Sequence, residues 1–135
     1  MPHQPTDLGP DLLAFLAERH LATVSTVRPD GSLHVVAVGF TFDPAAGLVR
    51  IITGGGSVKV RNAERPRADG GPPRAAVGQV DGRRWASLEG PIRVSRDPDE
   101  IAEAVRRYAV RYRTPRVNPQ RVALLIRVER ILGHA

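Results

Sequence analysis

The sequence predicts a mainly β protein with peripheral helices, built on one antiparallel sheet that closes on itself. Three observations predict it. Short β-branched runs are separated by tight-turn signals at Arg28-Pro29-Asp30-Gly31, Asp43 to Gly47 and Asp81-Gly82, which read as hairpins. Some of these runs are apolar on both faces, and closure of the sheet buries such strands and removes their edges. Strands and helices do not alternate as βαβ units, and no repeat is present. The 135 residues suit one domain, 1–135, with a short tail at 1–6 and a Pro/Gly-rich loop at 65–74.

The first helix reads from Pro10 to Arg19. Pro10 suits the first helical position, and Leu12, Leu13, Phe15 and Leu16 form an apolar face. Leu21 to Val27 alternates as a strand. His34 to Phe42 is the second strand, with His34, Val36, Val38, Phe40 and Phe42 on one face and Val35, Ala37, Gly39 and Thr41 on the other. Both faces are apolar or small, which predicts a central strand covered on both sides. Leu48 to Thr53 is the third strand, and Val58 to Glu64 a short helix.

Arg65 to Arg74 reads as a flexible surface loop with a disordered tip. Ala75 to Val80 and Trp85 to Val94 form the next hairpin. Asp97 caps a helix that has Pro98 at its first position and Glu100 completing a capping-box spacing. Ile101, Val105, Tyr108 and Tyr112 form its buried stripe, Glu103 pairs with Arg107 across one turn, and Thr114-Pro115 ends it. Arg121 to Leu132 is one long closing strand.

The composition narrows function. There is no cysteine, so disulfides and thiolate–metal sites are excluded, and the histidines at 3, 20, 34 and 134 lack metal spacing. No apolar run reaches membrane-spanning length and no signal-peptide pattern is present, so a cytoplasmic protein with no membrane partner is expected. The net charge is +6, yet Lys59 is the only lysine and the arginines are scattered. That skew reflects arginine usage better than a nucleic-acid face, and stacking aromatics are scarce, so no nucleic-acid partner is expected. Ser25 and Ser87 lack a His–acid set for a hydrolase triad.

Chemistry concentrates in Gly54-Gly55-Gly56-Ser57-Val58-Lys59-Val60-Arg61-Asn62. The glycines let backbone approach a ligand, a helix start offers N–H groups, Ser57 adds a hydroxyl, and Lys59 and Arg61 add charge. A phosphate cradle and a plain glycine turn both fit this pattern. A nucleotide P-loop does not, because the Gly-Lys-Ser/Thr ending is missing. Trp85 suits stacking on a ring or covering the core. Arg111, Arg113 and Arg116 suit an anionic ligand, or are surface charges.

His20-Leu21-Ala22-Thr23-Val24-Ser25-Thr26, Pro29-Asp30-Gly31 and His34-Val35-Val36-Ala37-Val38 resemble the pyridoxamine-phosphate-oxidase-like split β-barrels. Within that superfamily the chain is similar to the F420-dependent reductases of actinobacteria. That likeness is carried by Gly55-Gly56-Ser57 with Lys59 and Asn62-Ala63, Gln79-Val80-Asp81-Gly82 with Arg84-Trp85, Ser87-Leu88-Glu89-Gly90, and Arg107-Tyr108-Ala109 with Arg111 to Arg116. The chain departs from the pattern at Arg65 to Arg74.

The resemblance implies an antiparallel Greek-key split β-barrel of the FMN-binding type, a homodimer with its cofactor in a groove at the interface. The implied cofactor is coenzyme F420, with FMN the alternative. Its phosphate would meet Gly55, Gly56, Ser57, Val58 and Lys59, with Arg61 and Asn62 nearby. Its ring would lie along His34, Val35, Val36 and Ala37, with Gln79 and Trp85 supplied across the interface. The implied reaction is hydride transfer from reduced F420 to a conjugated acceptor, such as the central bridge of a linear tetrapyrrole in the reduction of biliverdin to bilirubin. Arg111, Arg113 and Arg116 would take the propionates. An FMN-binding oxidoreductase of the same fold and a non-catalytic cofactor-binding protein are the competing expectations.

Overall fold

The structure, a computed structural model, describes residues 8–135. The tail expected at 1–6 lies outside the described residues. Helix α1 (Pro10–Ala17) starts at the expected proline, stops before Arg19, and buries Leu12, Phe15 and Leu16. Strand β1 (Ala22–Val27) turns through Arg28 to Ser32, where the Asp30 carboxylate accepts from the Ser32 N–H, into β2 (Leu33–Val38).

The strand expected over 34–42 is two strands, β2 and β3 (Phe40–Asp43). They belong to different halves of the sheet. β2 pairs with β1, whereas β3 pairs with β4 (Leu48–Gly54). The break falls at Gly39, where a Cβ would stand 3.0 Å from the Tyr112 ring and 3.1 Å from that of Tyr108. Only glycine lets the backbone bend beneath both rings. Nor is β2 central. It is an edge strand, with Leu33 62% and Val35 53% exposed.

Helix α2 (Val58–Glu64) matches its expected span. The following segment forms a defined turn rather than a formless tip. The Asp69 carboxylate accepts from the Arg67 guanidinium and the Gly71 N–H, and the Arg67 N–H reaches the Gly71 carbonyl. Strands β5 (Arg74–Asp81) and β6 (Arg84–Ser95) form the next hairpin.

Helix α3 (Pro98–Arg111) is capped by Asp97, whose carboxylate accepts from the Asp99 N–H. Glu100 does not close a capping box. It binds Arg93 and the Ser95 hydroxyl instead. Glu103 pairs with Arg107 at 2.7 Å, as expected. The buried residues of α3 are Ala104 and Arg111, while Ile101, Val105, Tyr108 and Tyr112 are half-buried. The helix ends at Arg111, ahead of Thr114-Pro115.

The long closing strand is also two, β7 (Arg121–Arg127) and β8 (Arg130–His134). Both lean on β6. Residues Trp85–Glu89 of β6 pair with β8, and Ile92–Ser95 pair with β7. At the crossing, a Cβ on Gly90 would overlap the Arg127 carbonyl, so the two backbones meet only because residue 90 is glycine.

The strand order is β2-β1-β5-β6-β7-β4-β3, with β8 on β6, and every pairing is antiparallel. β2 and β3 stand at opposite ends of that order although they adjoin in the chain. The barrel is therefore split, not closed by a hydrogen-bonded seam. Its core gathers Phe15, Phe40, Ile51, Leu88, Leu124, Ile126 and Ile131. A smaller cluster of Ala104, Ala123 and Leu125 lies beneath α3.

Candidate active site

The split leaves a groove. Ala37, Val38 and Gly39 at the end of β2 face Ile52, Thr53 and Gly54 at the end of β4 across a cavity of about 280 Å³. Lys59 enters it from α2 and Tyr108 from α3, and Pro115, Asn118 and Arg121 close the remaining side. A cleft of about 710 Å³ shares Asn118 and Arg121 with it and runs on past Gly55 and Gly56 to Arg96 and the start of α3. The register Gly54↔Arg121 between β4 and β7 brings Arg121 beside the glycine loop.

Lys59 in the groove and Ser57 two residues before it lack partners among the described residues. Lys59 is half-buried and has no carboxylate or other hydrogen-bond partner among the described residues, and burial lowers its pKa. A desolvated, unpaired ammonium gains from an anion placed beside it. The Ser57 hydroxyl occupies the N-cap position of α2 yet makes no capping bond, and its oxygen is buried without a partner. A buried polar atom left alone is costly, which a ligand oxygen would relieve. The Gly55 N–H is already committed to the Gln120 carbonyl at 2.9 Å, so it is not available to a phosphate. Arg61 reaches back to the Gly56 carbonyl at 2.9 Å and ties the loop to its helix. Val58 is partly exposed at the same turn.

Of the other expected site residues, Ala37 lines the groove and the rest lie off it. The period-two geometry of a strand divides the set at 34–37. Val35 and Ala37 face outward, while Val36 packs on the core and His34 shares the inner face with buried Thr26. The His34 Nδ1 is itself buried without a partner. The Asn62 amide is buried and donates to the Thr26 hydroxyl at 3.0 Å, so it braces α2 against β1. Gln79 is buried too. Its amide donates to the Phe15 carbonyl at 2.9 Å, and its oxygen accepts from Arg111 at 2.6 Å. Trp85 is 42% exposed on the outer face of β6, opposite Val80.

The arginines of the α3 end divide likewise. Arg111 turns inward and donates to the Glu18 carbonyl at 2.7 Å, to the Phe40 carbonyl and to Gln79. Its guanidinium lies over the Phe40 and Tyr112 rings. It is a core fastener, not a ligand group. Burial pulls its pKa down and pushes that of Tyr112 up. Arg113 and Arg116 are exposed. The sequence reading missed Tyr108, Asn118 and Arg121. Tyr108 read as core because its helical spacing was right, and the other two enter through strand register, which no local motif announces.

The outer face of β2, β1, β5 and β6 is left exposed by the described residues. Its cross-strand rows run Leu33–Val27, Val35–Ser25–Ala76–Glu89 and Ala37–Thr23–Gly78–Ser87, with Val80–Trp85 beyond. These rows are uncharged through β2, β1 and β5 and include the Glu89 carboxylate on β6, and Ala37 belongs both to this face and to the groove.

Three likenesses bear on this arrangement. The chain is 53% identical, over 100% of its length and 94% of the relative's, to an F420H(2)-dependent biliverdin reductase of Mycobacterium tuberculosis. Among solved structures, a conserved hypothetical protein of Mycobacterium tuberculosis superposes with a TM-score of 0.76 at 21% identity, covering 97% of this chain and 88% of that one. A protein described as an F420 reductase gives 0.70 at 22% identity, covering 93% and 98%. Both share this split-barrel fold. The family described as pyridoxamine 5'-phosphate oxidase matches residues 8–135, and with the split sheet and its groove in view the chain belongs to that family.

Proposed function

We propose that this protein is an F420-dependent reductase that transfers a hydride from reduced F420 to a conjugated acceptor, converting biliverdin to bilirubin. The observation that carries the reading is the 53% identity, over the whole chain, to a reductase of that description. The groove fits the cofactor it calls for. An unpaired, half-buried Lys59 and an orphaned Ser57 hydroxyl suit a phosphate, and the small uncharged residues Ala37, Val38 and Gly39 leave room for a flat ring.

When bound, F420 supplies the hydride, and the chain's own residues bind, orient and exclude water. Lys59 holds the phosphate end by charge, and the Ser57 hydroxyl completes it. Asn118 and Arg121 line the opposite wall of the groove. The outer backbone edge of β2 has no strand partner among the described residues and offers N–H and C=O groups beside Ala37.

The protein acts as a homodimer. A second copy on the largely apolar outer face would cover Leu33, Val35 and Val80 and bring its own Trp85 toward the groove, which Ala37 joins to that face. No helix among the described residues is long and apolar enough to cross a membrane. A cytoplasmic location belongs to the same proposal, because the reductant it needs is an intracellular coenzyme.

The test is a titration with oxidised F420, with FMN in parallel, using wild type and Lys59→Ala. Wild type is expected to bind F420, and loss of the ammonium to weaken binding about tenfold or more. Retention of FMN with no F420 binding would transfer the reading to an FMN oxidoreductase of the same fold. F420 binding without biliverdin turnover would mark a non-catalytic cofactor-binding protein.

A further inference from the structure

The inward turn of Arg111 leaves its neighbour Arg113 facing a different cavity. This one, of about 550 Å³, is lined by Arg19, His20, Leu21, Tyr108, Tyr112 and Arg113. Arginines 50, 67, 74, 84, 93, 96, 106, 107 and 127 each reach a carboxylate. Arg19 and Arg113 reach none and make no side-chain hydrogen bond among the described residues. Two unpaired guanidinium groups therefore line one cavity in a chain where most others are matched.

Its walls have a second character. The Tyr108 and Tyr112 rings lie 4.8 Å apart, centroid to centroid. The Tyr112 hydroxyl donates to the His20 carbonyl at 2.7 Å, and the Arg111 guanidinium lies over its ring, so that ring is fixed in place. Leu21, 66% exposed, adds an apolar side chain. Tyr108 also lines the groove that holds Lys59, and both rings rest on Gly39. One tyrosine thus stands between the cofactor groove and the arginine-lined cavity.

We propose that this cavity binds the acceptor, and that Arg19 and Arg113 recognise two carboxylates on a planar conjugated body held against Tyr108 and Tyr112. The inference rests on the reductase reading and names the substrate class of the same site, a conjugated dicarboxylate. It assigns the anion contacts to Arg19 and Arg113, with Arg111 acting only as the fastener behind Tyr112. Guanidinium forks match carboxylates in geometry and charge, and aromatic rings suit a flat apolar body.

The experiment uses the full chain, with biliverdin and its dimethyl ester as probes. Apoprotein is titrated by absorbance, and turnover is followed with reduced F420. Arg19→Gln and Arg113→Gln are each expected to raise both Kd and KM for biliverdin about tenfold, with kcat and the F420 affinity unchanged. Wild type is expected to discriminate against the ester by a similar factor, and the double variant to lose that discrimination. Both side chains are exposed and make no hydrogen bond or ion pair among the described residues, so an unchanged melting temperature is the folding control. Equal binding of acid and ester by wild type overturns the proposal, as does wild-type biliverdin affinity in both variants or failure of the apoprotein to bind biliverdin. Failure of turnover alone, with charge-dependent binding intact, removes the reductase reading and leaves the carboxylate site standing.

Discussion

One half of the split sheet is clothed by its own chain and the other is left bare. Beneath α3, the β4–β7 half carries Leu48, Ile52, Ala123 and Leu125, and the helix answers with Ile101 and Ala104. Around that contact runs a set of ion pairs, in which Asp43 meets both Arg50 and Arg107, and Arg107 also meets Glu103. The β2–β1–β5–β6 half carries Val27, Leu33, Val35, Val80 and Trp85 on its outer face, and no helix covers them. Both faces are largely apolar; the first is ringed by these ion pairs, and the second carries the Glu89 carboxylate in its β6 row. The chain thus supplies the specificity for its internal contact in full, and the other face is the one on which the proposed second copy would sit.

Breaking the bare face should have the largest effect. Val35→Glu places a second carboxylate in the row that includes Glu89, at its β2 edge, and a self-complementary contact would bring like charges together. The mass in solution measured by light scattering is expected to fall from dimer to monomer, with F420 affinity dropping about a hundredfold as the partner's contribution to the groove is lost. A dimer that persists would place the interface elsewhere.

The clothed half should yield to loss of the fastener at its end. Arg111→Met leaves the Glu18 and Phe40 carbonyls and the Gln79 oxygen buried without their donor. Urea unfolding is expected to show about 3 kcal/mol lost, against a few tenths for Arg113→Met two residues on. Equal costs at both positions would contradict the division between inward and outward arginine.

Acid gives the smallest and broadest effect. The Arg93 guanidinium and the Ser95 hydroxyl hold the Glu100 carboxyl down at about 2, and Arg106 and Arg107 hold Glu103 at about 2. Burial works against the Asp43 carboxylate, but Arg50, the Ala46 N–H and Arg107 outweigh it and keep its pKa below the usual value. All three values are lower folded than unfolded, so their stabilisation is complete above the unfolded values near 4 and is lost as pH falls toward 2. The melting temperature is expected to be flat above about pH 5 and to decline steadily below it. Asp43→Asn, costing about 1 kcal/mol at neutral pH, is expected to flatten part of that decline.

What could be read in advance follows from the range of the interactions involved. Hairpins, the α2 span and the proline start and Asp97 cap of α3 are written in neighbouring residues, and they stand where the sequence predicts them. The breaks at Gly39 and at Val128–Glu129 were not legible, because the segments around them alternate without interruption. Only the partners distant in sequence, two tyrosines of α3 in one case and the crossing of β6 in the other, require the chain to change sheets there. Lys59 and Ser57 could be singled out from composition and spacing. The inward roles of Asn62, Gln79 and Arg111 could not, since a polar side chain at a core-facing position looks the same in sequence whether it meets a ligand or a carbonyl.

The position of β7 has a consequence for synthesis. It is the strand between β6 and β4, yet it follows both in the chain. While residues 121–127 are still being made, β4 and β6 each lack the neighbour that β7 provides. Assembly of this half must therefore wait for late residues, and contacts so distant in sequence form slowly. The growing polypeptide passes through a period of adhesiveness that ends only when β7 slides into the gap.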